Sequence, residues 1–152
     1  MSKYISITFI FFTLLFLGCS DTKETETVKK VSQNLDVFTD KTTGYTWIDN
    51  NQTKQLKKDW LDAVSYCEEL YANGHEDWHL PTKEQLKTIV DKSKTPAIKS
   101  GFKNVTPYGY WTNDKIDIKD GYVWALYFNH GGEVWELRTD TNYVRCVRST
   151  ND

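Results

Sequence analysis

Hydrophobic and polar positions follow unlike patterns in successive stretches of the chain. Ile5 to Leu17, ISITFIFFTLLFL, is a run of 13 uncharged residues behind Lys3. It falls short of the ~20 apolar residues that a spanning helix needs, so it predicts a cleaved export signal. Residues 20–36, SDTKETETVKKVSQNLD, carry charge with only scattered aliphatics and predict a flexible tether. Trp60, Ala63, Val64, Cys67, Leu70 and Tyr71 then fall at helical spacing and predict a helix over about Asp59 to Ala72, with Gly74 as its stop. After Pro81, Thr82 and Gln85 form a capping box for a second helix ending near Asp91 or Lys92, with Leu86, Ile89 and Val90 as its apolar face. Ser93 to Pro107 reads as a long loop in which Ile98 and Phe102 are buried pins.

Beyond Tyr108 the period shortens to that of strands: Tyr110 to Thr112, Tyr122 to Phe128, Glu133 to Arg138 and Tyr143 to Arg148. Asn129-His130-Gly131-Gly132 and Thr139 to Asn142 are the turn signals between them, and Gly44 to Ile48 is an earlier strand. Tyr122 to Phe128 is apolar at every position, which predicts a central strand buried on both faces. Two helices packed on a small antiparallel sheet with long loops make an α+β domain over residues 37–149.

Composition changes this picture in three places. The 152 residues carry 19 Lys+Arg against 21 Asp+Glu, a net charge of −2, and lack the basic footprint of a nucleic-acid binder. Removal of residues 1–18 takes Lys3 and no acid, leaving −3. The three cysteines divide into Cys19 at the end of the signal and a remaining pair, Cys67 and Cys146. In an oxidising compartment an even remainder predicts one disulfide, and neither cysteine has the C-x-x-C partner of a reactive thiol.

Leu15 to Ser20, LFLGCS, resembles the bacterial lipobox. That resemblance implies a signal peptide over 1–18, lipidation of Cys19 and a tether over 19–36, with Ser20 favouring passage to the outer membrane. Each buried acyl CH₂ contributes ~0.8 kcal/mol, so two or three chains anchor the domain firmly to the membrane.

DKTTGYTW (40–47), AVSYCEEL (63–70), WHLPTKEQLKTIVD (78–91), YWT (110–112) and YVRCVR (143–148) together resemble the Lcl C-terminal domain family of bacterial secreted and lipid-anchored proteins. His79 stands where the family usually has arginine. The resemblance implies a C-type lectin-like fold with Cys67 and Cys146 in the place of its outer bridge. The family is named for an adhesin with affinity for acidic polysaccharides, so the resemblance implies a glycan, a ligand that the net charge of −3 disfavours. The final Arg-Cys-Val-Arg also resembles the sulfatase-modifying, formylglycine-generating enzymes, although no cysteine pair remains for their chemistry.

Candidate chemistry is sparse. His75, His79 and His130 do not have the spacing of a zinc site, and Trp111-Thr112-Asn113-Asp114 supplies few of the about six to eight oxygens that calcium takes. No nucleophile elbow is present, and Glu133 and Glu136 fall on different faces of one strand, against a paired-carboxylate mechanism. Neither a metal, a cofactor nor a catalytic residue is therefore assigned. Binding is the better-supported class. Trp135, with Asn129 and His130 on the adjacent turn, is a candidate ring-and-edge site for a sugar or peptide, the competing reading being Trp135 as core beside Leu137. Arg145 is a further ligand candidate, set against structural ion pairs of Arg145 and Arg148 with Glu68 or Glu69. The chain is expected to be an envelope lipoprotein, outer-membrane or cell-surface, whose domain binds or adheres to a glycan or an envelope protein. An envelope enzyme and a structural subunit of a periplasmic assembly are the alternatives.

Overall fold

Asp59, in extended backbone, accepts the amide of Asp62 at 2.9 Å and starts helix α1 (Trp60–Glu68). The computed structural model describes residues 30–150, so the export segment, Cys19 and the first part of the tether lie outside the described residues. The apolar period that predicts α1 continues past its end, because Leu70 and Ala72 are buried although not helical. Asn73 and Gly74 take positive φ of 54° and 80°, closing a turn in which Ala72 and His75 exchange backbone hydrogen bonds. The helix ends before this turn, whose left-handed Asn73 and Gly74 a right-handed helix could not include. The same turn receives the N-terminal arm: Leu35 donates to Asn73 Oδ1 at 2.8 Å and Gly74 to Ser32 Oγ at 2.9 Å. The end of the expected tether is thus docked from Ser32 onward.

Helix α2 (Lys83–Lys87) has the predicted capping box of Thr82 and Gln85 but only five residues. Thr88 donates its hydroxyl back to Gln85 O at 2.7 Å, and Val90 then bridges to Ile98. Leu86 and Ile89 remain fully buried.

Among the described residues eight strands form two sheets. β1 (Val37–Asp40), β2 (Tyr45–Ile48) and β8 (Val147–Ser149) make an antiparallel three-stranded sheet. β3 (Lys57–Lys58), β7 (Asn142–Tyr143), β4 (Gly109–Lys115), β5 (Tyr122–Tyr127) and β6 (Gly132–Leu137) make the larger one in that spatial order. The sheet expected to be antiparallel contains one parallel pairing, β4 with β7 through Tyr110 and Tyr143. The single strand expected over Tyr143 to Arg148 is divided between the sheets, because Val144, Arg145 and Cys146 turn inward and cross from one to the other.

β5 lies between β4 and β6 and separates two cores. Val123 and Ala125 join α1, Trp60, Leu80, Trp111 and the Cys67–Cys146 disulfide on one side. Leu126 and Phe128 join α2, Trp47, Tyr110 and Val147 on the other. The architecture is α+β, as the patterning predicts. The long loop is pinned by Ile98, 5% exposed, and by Phe102, whose ring lies 4.3 Å from that of Phe38. α2 packs on the Leu126–Phe128 end of its sheet face, and at the other end Trp135 and Leu137 on β6 stay open to solvent.

Candidate functional site

That open end carries a strip of aromatic side chains. Antiparallel register sets Trp124 against Trp135 and Tyr122 against Leu137, so all four share one face. The two indoles meet edge to face, with centroids 5.6 Å apart and planes at 82°. Trp135 is 45% exposed and Leu137 41%, which places Trp135 on the surface rather than in the core. Lysines border the strip. Lys83, in the first turn of α2, holds Nζ 4.1 Å from the centre of the Trp124 ring, and Lys119 lies 3.6 Å from Tyr122 and 5.9 Å from Trp135.

Glu133 closes one end of the strip. Its carboxylate is 3.5 Å from Lys83 Nζ and 3.1 Å from Lys87 Nζ. Burial pushes the Glu133 carboxyl up, but the bond from Lys87 and the charge of Lys83 outweigh it and hold the group below its ordinary value. Lys83 is further placed by its own amide, which donates to the Asp114 carboxylate on β4. An exposed indole beside a second ring and two ammonium groups offers an apolar stacking surface with hydrogen-bond donors at its rim.

The residues singled out in the sequence do not converge. Asn129 and His130 are exposed on the β5–β6 turn, where His130 Nδ1 accepts the amide of Gly132 at 2.9 Å. The His130 ring is nearest to Tyr127, 6.4 Å away, and Tyr127 alternates with Trp124 and so belongs to the opposite face from Trp135. Arg145 is 1% exposed, donates to Ile48 O at 2.9 Å and pairs with Asp49 at 3.1 Å. Arg148 pairs with Asp77 at 2.8 Å. Both arginines are therefore structural, and their acids come from loops rather than from Glu68 or Glu69. His79, at the position where the resemblance expects arginine, lies 3.3 Å from both Asp77 O and Gln85 Nε2. Tyr122 and Trp124, expected in a strand buried on both faces, are half-buried on this strip, and Lys83 and Lys119 join it without a local signal. Folding residues 122–137 about the Asn129–Gly132 turn puts Trp124 and Trp135 on one face but pairs Trp124 with Leu137. The observed pairing of Tyr127 with Gly132 centres the turn one residue earlier and sets Trp124 opposite Trp135, whereas nothing local ties Lys83 to either ring.

Among the described residues no group of three His, Cys, Asp or Glu side chains comes together as a metal site, and no helix is long and apolar enough to cross a membrane. The profile of the Lcl C-terminal domain matches residues 36–148, about three quarters of the chain. The chain belongs to that family. The Lcl C-terminal domain is of an extracytoplasmic type with unclear function and is not a known enzyme family. Curated proteins give no match. In this Lcl C-terminal domain the matched region spans both sheets and both helices, and the aromatic strip lies wholly inside it.

Proposed function

We propose that this chain is a non-catalytic binding module of the cell envelope, anchored through a lipid on Cys19, that holds a glycan against the Trp124–Trp135 strip. The observation that carries the reading is the exposed Trp135 ring, braced edge to face by Trp124 and bordered by Lys83 and Lys119. The apolar face of a pyranose stacks on an indole, and its hydroxyls accept from the lysines at the rim. The chain as a whole is acidic, but Lys83, Lys87 and Lys119 surround the strip against Glu133, so the local field is more favourable to a sugar carboxylate than the net charge suggests.

Binding of the full-length chain to immobilised polysaccharides and peptidoglycan tests the reading. Trp135→Ala is expected to weaken binding by about tenfold or more, the loss typical of an aromatic anchor, while stability changes by no more than about 1 kcal/mol because the ring is half exposed. Failure of the unmutated chain to bind any of these ligands would defeat the glycan assignment. Mass spectrometry of the chain from membranes should find an acylated Cys19 at the N-terminus, and an intact Met1 would defeat the anchor.

A further inference from the structure

A second concavity, of about 280 Å³, opens where the loop from β4 to β5 passes the start of α1. Its apolar lining comes from the buried side chains of Trp60, Ile116 and Val123. Four charged side chains stand around it: Lys115 and Arg138, Asp117 and Asp120. Among the described residues none of these four forms an ion pair. Lys115 rests 5.4 Å from the centre of the Trp60 ring, and Asp120 accepts only the amide of its neighbour Gly121 at 2.8 Å. Two cations and two carboxylates thus border one cleft without forming an ion pair with each other.

We infer that this cleft binds a small zwitterion of amino-acid or dipeptide size, its carboxylate directed to Lys115 and Arg138 and its ammonium to Asp117 and Asp120. The volume is just below the roughly 300–1,000 Å³ usual for ligand sites, which suits a ligand of that size and excludes an extended chain lying wholly inside it. A free carboxylate and a free ammonium each gain a charge-assisted hydrogen bond here, whereas a capped peptide of the same shape gains neither. Trp60 forms part of the wall, 5% exposed, its indole fixed by donation to Thr112 O at 2.9 Å, so its signal reports on the cleft. The cleft shares Tyr122 with the aromatic strip but not Trp135, so Trp135→Ala distinguishes this inference from the glycan reading.

Titration of the ¹⁵N-tryptophan-labelled full-length chain, in detergent, with alanyl-alanine tests it. Saturable movement of the Trp60 indole signal, assigned with Trp60→Phe, is expected, with no saturation by N-acetyl-alanyl-alanine amide. Arg138→Gln and Asp120→Asn, both at exposed positions, should each weaken binding by about tenfold, as loss of one charge-assisted contact does. Trp135→Ala should retain it. Equal binding of the capped peptide, an unmoved Trp60 signal, or unchanged affinity in both charge variants would overturn the assignment.

Discussion

Arg145 is among the largest fully buried side chains of the domain, and it is charged. Its guanidinium lies 4.9 Å from the Phe102 ring centre and donates to Ile48 O, Asp49 and Asn104 O. Asp49 also accepts the amides of Lys103 and Asn104, so one ion pair fastens the long loop to the end of β2. Arg145→Ala would leave the Asp49 carboxylate buried without its counter-charge, and urea denaturation is expected to show a loss of about 3–5 kcal/mol. Lysine should not restore it, since one ammonium cannot reproduce a fork that reaches three acceptors. A structural ion pair is one of the two expectations for Arg145, with its acid expected on α1 at Glu68 or Glu69. The partner is 96 residues away, and such distant neighbours follow from chain crossing rather than from local spacing.

Tyr127 gives a pH-dependent counterpart at the same scale. Its hydroxyl donates to Glu136 at 2.6 Å, and that bond, reinforced by burial, pushes its pKa from 10.0 up to about 12. The folded state favours the neutral phenol. Its stabilising contribution is therefore fully present below pH 10.0, the unfolded value, and is lost as pH rises through about 12. Burial also pushes the Tyr66 hydroxyl up, so phenolate absorbance during alkaline titration should show a late-ionising fraction that is reduced, not abolished, in Tyr127→Phe. Ionisation of every described tyrosine near its ordinary value would contradict this.

At the scale of elements, α2 shows how a local signal can be right about position and wrong about length. Thr82 and Gln85 start the helix as their spacing predicts, with Gln85 N donating to Thr82 Oγ1 at 3.1 Å and Thr82 N to Gln85 Oε1 at 2.8 Å. Thr82→Ala is expected to cost about 1 kcal/mol in a thermal melt, the usual effect of losing a cap, and to loosen the Lys83 contact with Trp124. The helix ends at Lys87, but Ile89 stays buried, so the apolar period outruns the hydrogen-bonded element. Periodicity reports which residues are covered, not the backbone that carries them. The division of residues 142–149 into β7 and β8 was hidden for the same reason, since Val144 and Cys146 are buried whether or not the strand is continuous.

At the scale of the molecule, the disulfide joins α1 to the segment that crosses between the sheets, spanning 79 residues. Closing a loop of that size in the unfolded chain is worth roughly 4 kcal/mol on the chain-entropy model. The Cys67→Ser/Cys146→Ser double variant should melt at markedly lower temperature, and the unmutated chain under reducing conditions should approach it. Matching melting curves with and without reductant would contradict the bridge.

Residue types and their periods determined the α+β class, the capping box, the position of the β5–β6 hairpin and the cysteine pair, because each rests on neighbours in sequence or on counting. They also identified Trp135 as a candidate while leaving its exposure open. Tertiary structure decided which tryptophans are core and which are surface: Trp47, Trp60, Trp78 and Trp111 are buried, Trp124 is half-buried beneath Lys83 of α2, and Trp135 is exposed beside it. It likewise supplied Lys83 to Trp124, Asp49 to Arg145 and four unpaired charges to one cleft. The physical reason is common to all three. Local backbone preference acts over a few residues, but an exposed ring or an ion pair depends on what another part of the chain covers or brings near.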